Sequence, residues 1–234
     1  MKDLFGKAIL DFQTNNSPED IITETSISEA DIMSIGYLFR SFLEMPKIEQ
    51  KAIQLSKGKV LDVGCGAGSH SLYLQNEKKL DVTCIDISKN AIKACKLRGL
   101  KNTRVQNILD IENEKFDTIL LLMNGTGIFE NLIKVPIYLQ KLKSLLNSNG
   151  QILIDSSDII YMYDDDNDGG KWIPDNNYYG ELTFSISYKK ETENNFPWLY
   201  LDFKTLQNVA KDNGLKCEII IEGNHYDYLA KLTV

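Results

Sequence analysis

"LDVGCGAGSH", Leu61 to His70, is the stretch that decides how this chain folds. It grows out of a short apolar run, Lys59 to Val63, and sets glycines at 64, 66 and 68 ahead of a helix start near Ser69 and His70. Glycines in such a loop let the backbone approach a ligand with no Cβ in the way. A P-loop needs Lys and Ser or Thr directly after its last glycine. Gly68 is followed by Ser69 and His70, so that reading fails. The dinucleotide fingerprint is G-x-G-x-x-G. Ser69 stands where its third glycine belongs, which weakens the dinucleotide reading and leaves it open.

Outward from this loop the chain alternates. Leu80 to Ile87 reads as a second strand, Ser88 as the N-cap of a helix over 89–98, and Gly99 as its stop. Thr103 to Ile108 reads as a third strand. Phe116 to Met123, "FDTILLLM", is nearly all apolar, as a strand buried on both faces should be. A helix over 131–146, with Pro136 in its early part, leads to a fifth strand, Gln151 to Asp155. Such alternation predicts an α/β fold with a parallel sheet and helices on both faces. Asp202 caps a further helix over 203–213. Two strands, 216–222 and 226–234, follow with a link so short that they must be antiparallel. Residues 1–57 read as a helical cap, with Ile32 to Leu43 apolar at helical spacing and Pro46 opening a second run. Residues 156–201 read as an aromatic insertion with its own hairpin, in which Leu182, Phe184, Ile186 and Tyr188 alternate with polar residues.

The chain has 234 residues and a formal charge of −7. One domain is expected. The acidity weighs against a phosphate-backbone partner. No signal peptide is expected from MKDLFGKAIL, and no apolar stretch reaches the roughly 18 residues of a membrane span. Cys65, Cys84, Cys95 and Cys217 lack metal-site spacing and read as reduced thiols of a cytoplasmic protein.

Together, the loop with Asp62 inside its approach, Asp86 ending the second strand, Asp110 after the third, Asn124-Gly125 leaving the fourth, and the terminal hairpin resemble the class I S-adenosylmethionine-dependent methyltransferases. The resemblance covers 58–155 and 202–234. It implies a Rossmann-like seven-stranded sheet of order 3-2-1-4-5-7-6 with strand 7 antiparallel. It also implies S-adenosylmethionine held by Asp62, Gly64, Cys65, Gly66 and Gly68, with Asp86 toward the ribose. Ile87 and Asp110 would lie by the adenine, and Asn124 and Gly125 at the fourth motif. Arg40, ahead of the loop, is a candidate fork for the cofactor carboxylate. His70 and His225 carry no assigned acid–base role.

For the acceptor side the candidates are Asp155 and Asp158 of "DSSD" and Tyr178 and Tyr179 of the insertion; no catalytic residue is assigned. The insertion supplies either a hydrophobic roof for a small organic acceptor or a homodimer surface. Asp164 to Gly170 begins like a calcium loop. It then presents Asp175 where the final Glu belongs and no exit helix, so it reads as a solvated acidic loop and no metal is expected. The expected function is methyl transfer to a small molecule. A protein or RNA methyltransferase and a non-catalytic cofactor-binding module stay open.

Overall fold

The computed structural model describes residues 2–164, 170–171, 173 and 178–234. Asp166, Asp168 and Gly169 of the acidic loop lie outside the described residues.

The chain opens with helix α1 (Leu4–Thr14), then a β-hairpin, β1 (Ile21–Thr25) and β2 (Ser28–Met33). Two 3-10 turns follow, Ile35–Phe39 and Phe42–Glu44, and then α2 (Lys47–Leu55). This corrects the all-helical cap expected for 1–57. The apolar residues Ile32, Ile35, Leu38 and Phe39 do fall at helical spacing, but Ile32 belongs to a strand and the others to a tight turn. The cause is a long-range pairing: Ile22 to Thr25 of β1 zip antiparallel onto Ser187 to Phe184. Local spacing carries no trace of that partner.

The core alternates as expected: β3 (Lys59–Val63), α3 (Ser69–Asn76), β4 (Asp81–Asp86), α4 (Lys89–Leu97), β5 (Asn102–Val105), β6 (Phe116–Leu121), α5 (Val135–Ser144) and β7 (Leu146–Ser157). Pro136 sits in the first turn of α5, where its missing N–H leaves no bond unmade. The insertion contributes β8 (Glu181–Tyr188), β9 (Glu191–Thr192) and β10 (Phe196–Leu199), and the chain ends with α6 (Phe203–Asp212), β11 (Lys216–Glu222) and β12 (Asp227–Thr233).

Seven strands form the main sheet, β11-β12-β7-β6-β3-β4-β5. Counted within the sheet this is the expected 3-2-1-4-5-7-6, with β12 antiparallel to both neighbours and β3 to β7 parallel. Alternate residues feed two cores. Leu61, Ile119, Leu121, Ile152 and Ile154 enter one, while Val60, Leu120 and Leu153 enter the other. That period of two is why these strands read as unbroken apolar runs. The second sheet, β10-β8-β1-β2 with β9 also on β8, joins the insertion to the N-terminal hairpin. Within β8, Leu182, Ile186 and Tyr188 are buried as the alternation predicts, and Phe184 is half-buried. Strand order reverses between β3 and β6, which opens a crevice at their carboxyl ends.

Candidate functional site

The glycine loop turns out of β3 with Gly64, Gly66 and Gly68 all at positive φ, 69°, 53° and 78°. Backbone of this kind is open to glycine at little cost and strained for other residues. The two ends of the loop differ. A Cβ at Gly68 would lie 2.5 Å from Leu100 Cδ1 and 3.0 Å from Cys95 Sγ, whereas one at Gly64 would meet nothing within 4 Å. Gly68 is thus demanded by packing, and Gly64 faces open space where a ligand can come close. Gly64 N–H and Cys65 N–H both donate to the Ile85 carbonyl, at 2.9 and 3.1 Å, which fastens the loop to β4. Cys65 is buried, with its sulfur 3.9 Å from that of Cys95.

Asp62 is buried beneath the loop and accepts a 2.6 Å hydrogen bond from Ser71 of α3. Burial raises its pKa, against the opposing pull of His70 and the Ser71 bond. Asp62 therefore orders the loop from below. Asp86, at the end of β4, accepts from the N–H of Gly66 at 2.9 Å and of Ser88 at 2.8 Å. It ties the loop to the start of α4, and burial raises its pKa too. Ile87 is 57% exposed beside it, and Asp110 is exposed in the 3-10 turn Ile108–Asp110. Ile87 directly follows the carboxyl end of β4, and Asp110 lies five residues past that of β5. Helix α1 leans over this side: Asp3 accepts from the Asn90 side chain at 2.9 Å.

On the other side of the reversal the chain leaves β6 through Met123 and Asn124, both at positive φ. Asp155, at the end of β7, holds that turn by accepting from Met123 N–H at 3.0 Å and Gly125 N–H at 2.9 Å. Burial nevertheless pushes its carboxyl up to about 6, because the amide donors of Gly125, Asn124 and Met123 offset only part of the desolvation. The Asn124 amide bonds to Ser156 Oγ and to the Leu199 carbonyl. Its side chain thus locks the turn to β7 and to the insertion.

Beside this turn lies a cavity of about 280 Å³, lined by Tyr37, Glu49, Met123, Asp155, Ser157 and Asp227 among others. Of the four acceptor-side candidates, Asp155 lines it. The other three are tied to one another or to the fold. Asp158 accepts from Tyr179 Oη at 2.9 Å and from Ile160 N–H, and Tyr178 Oη donates to Asp202 at 2.7 Å. Burial raises both tyrosines well above the usual phenol range.

Arg40 does not present a free fork, and the expectation for it is corrected. Its guanidinium pairs with buried Glu49, donates to the Tyr37 carbonyl at 2.5 Å and lies over the Tyr37 ring at 3.9 Å. His70 Nε2 closes the cluster at 2.5 Å from Glu49. A carboxylate this deeply enclosed needs a cation beside it. Burial alone would raise Glu49, but His70 and Arg40 outweigh it and hold the carboxyl low. Glu49 was missed in the sequence. Its signal was there: an acid on the buried face of α2, in line with Ile48, Ala52 and Ile53.

Residues 54–219 match the family model of a methyltransferase domain. A solved S-adenosylmethionine-dependent methyltransferase from Bacteroides fragilis, in complex with S-adenosyl-L-homocysteine, is 44% identical and superposes with a TM-score of 0.91 over 100% of this chain and 95% of that one. An S-adenosylmethionine-dependent methyltransferase from Clostridium acetobutylicum shares the fold at 17% identity and a TM-score of 0.56, over 80% of this chain and 89% of that one. The ribosomal protein L11 methyltransferase of Acetivibrio thermocellus is 36% identical over 89 residues, 36% of this chain, and the match spans only 28% of that protein's length. With the sheet order, the loop geometry and the family match in agreement, the chain belongs to the class I S-adenosylmethionine-dependent methyltransferases.

Proposed function

We propose that this protein transfers a methyl group from S-adenosylmethionine to a small-molecule acceptor. The observation that carries the reading is the pairing of two recesses across the β3/β6 reversal: the open glycine loop on one side and the Asp155 cavity on the other. The loop fits the cofactor, since the position beyond Gly64 is clear to 4 Å and acids 62 and 86 fix the turn around it. Gly64 to Gly68 would hold its amino-acid end, Asp86 its ribose, and Ile87 and Asp110 its base. When bound, the cofactor supplies a methyl group already activated on a sulfonium. The chain's own task is then to align an acceptor with that methyl and to keep water out. Tyr37, Met123 and Asp155 border the place where this would happen.

The formal charge of −7 supports a small acceptor over nucleic acid. No helix among the described residues is long and apolar enough to cross a membrane. The reading includes a cytoplasmic setting, which suits four free, buried thiols. A homodimer through the insertion is an arrangement that light scattering decides.

Calorimetry with S-adenosylmethionine and with NADH tests the cofactor, and binding of NADH alone overturns the reading. Incubation with methyl-labelled cofactor and fractionated cell extract tests the acceptor. Label in the small-molecule fraction is expected. Label in protein or RNA, or tight cofactor binding with no label transferred, replaces the small acceptor with a macromolecule or with a non-catalytic binding role.

A further inference from the structure

We infer that the acceptor is an organic amine, bound as its ammonium ion against Asp155 and a tyrosine-rich wall. The inference rests on the methyltransferase reading and names its substrate class.

The cavity at the β6/β7 end carries one sign of charge. Glu49, Asp155 and Asp227 line it, and among the described residues no Lys, Arg or His does. The three acids are not equivalent. Glu49 is paired from behind with the Arg40 guanidinium, and His70 Nε2 lies 2.5 Å from it. Asp227 accepts the His225 N–H at 3.0 Å and serves the terminal hairpin turn. Asp155 has amide donors but no cation, and the work of keeping it charged shows in its raised pKa. A cationic guest would supply the charge it lacks, whereas a carboxylate or phosphate guest would be repelled.

The walls suit the same guest. Tyr37 lines the cavity and is 43% exposed. Tyr200, raised to about 12 mainly by burial, lies close enough to Tyr161 and Asp155 to feel both electrostatically. Tyr161 in turn stacks on Tyr226 with centroids 4.8 Å apart, and both rings are open to solvent. Tyr37, with Arg40 over one face of its ring, borders the cavity itself, and Tyr200 lies near Asp155; aromatic faces near a carboxylate are the chemistry that recognises ammonium groups. The cavity lies past β6, on the other side of β3 from β4 and Asp86.

The reaction then balances. The ammonium gives one N–H proton to the Asp155 carboxylate, and the freed nitrogen lone pair forms the N–CH3 bond. As that bond forms, the S–CH3 bond breaks and its electron pair stays on sulfur as a neutral thioether. The methylated nitrogen takes over the positive charge.

The test uses the full chain saturated with S-adenosyl-L-homocysteine and follows binding by NMR titration of benzylamine, benzyl alcohol and benzoate. Benzylamine is expected to bind at least about tenfold more tightly than either. Asp155→Asn should abolish the preference. Because that substitution also disturbs the turn after β6, Tyr161→Leu serves as the second variant. It should weaken benzylamine about two- to fivefold and leave S-adenosyl-L-homocysteine affinity unchanged. Equal or tighter binding of the alcohol or the benzoate, or no preference at all, overturns the inference. Displacement of benzylamine by S-adenosyl-L-homocysteine also overturns it, by placing the cavity inside the cofactor's footprint. Failure of S-adenosyl-L-homocysteine itself to bind sinks the methyltransferase reading and this inference together.

Discussion

The two sides of the crevice are built by different means. On the β3–β5 side the working surface is main chain: three glycines at positive φ, pinned by acids that accept backbone N–H groups or a helix hydroxyl. On the β6–β7 side it is side chain: Tyr37, Glu49, Met123 and Asp155 come from four distant segments and meet at one cavity. A main-chain surface needs only a short run of the right residues, whereas a side-chain surface needs the whole fold to be in place first. The first can hold a common cofactor in many proteins, while the second can be refitted to a different acceptor. This difference sets what mutation should do on each side.

The largest effect is expected on the side-chain half. Glu49→Gln leaves the buried Arg40 guanidinium without its counter-charge and removes the carboxylate that meets His70. Breaking one member of a buried pair typically costs about 3–5 kcal/mol. Urea unfolding should show a loss of that size. A loss under about 1 kcal/mol would mean the cluster is less enclosed than it looks, and the contrast between the halves would weaken.

Next comes Gly68→Ala on the main-chain half. It forces an L-residue to φ +78° and drives a Cβ to 2.5 Å from Leu100. Left-handed strain of about 1–2 kcal/mol and overpacking of about 1–3 kcal/mol add to roughly 2–5 kcal/mol. The same unfolding measurement reads it. Wild-type stability would show that the loop can rearrange and is not the rigid frame described above.

Asp155 allows a pH experiment. Its folded value, about 6, lies above the ordinary 3.8, so the folded chain binds this proton more readily than the unfolded one. The group's contribution to stability is therefore fully present below about pH 4 and is lost as the pH rises through about 6. The loss is on the order of 2–3 kcal/mol. Asp155→Asn removes the titration. The wild type's unfolding free energy minus the variant's should fall by that amount between about pH 4 and pH 7. A difference that stays flat would show an ordinary, well-solvated carboxylate, and the cavity would lose the uncompensated charge that marks it as a binding site.

The same contrast explains what was legible in the sequence. The loop, the acids near the ends of β3 and β4, the apolar β6 and the terminal hairpin could be read because each is encoded within a few residues. Spacing alone exposes a glycine turn, and a link as short as Gly223 to His225 leaves antiparallel pairing as the only geometry. The N-terminal hairpin was hidden because β1 pairs with β8 across most of the chain, and β2 is an edge strand whose Glu29, Ala30, Asp31 and Ile32 are all exposed. Arg40 was misread for a related reason. Its residue type announced a two-donor fork, but its partner, Glu49, is fixed by how α2 packs on the loop.

Gly64→Ala carries the smallest expected effect on stability and separates the halves most cleanly. Nothing lies within 4 Å of the Cβ it would add, so only the φ of +69° resists the change. The cost in unfolding free energy should stay near 1 kcal/mol. The added methyl does point into the space where a ligand would meet the loop backbone. Affinity for S-adenosylmethionine should therefore fall about tenfold, or about 1.4 kcal/mol, by calorimetry. Binding of benzylamine in the Asp155 cavity should be unaffected. A variant that keeps full cofactor affinity would mean the cofactor does not rest on this turn. A variant that loses amine affinity as well would mean that the two surfaces, though built differently, act as one.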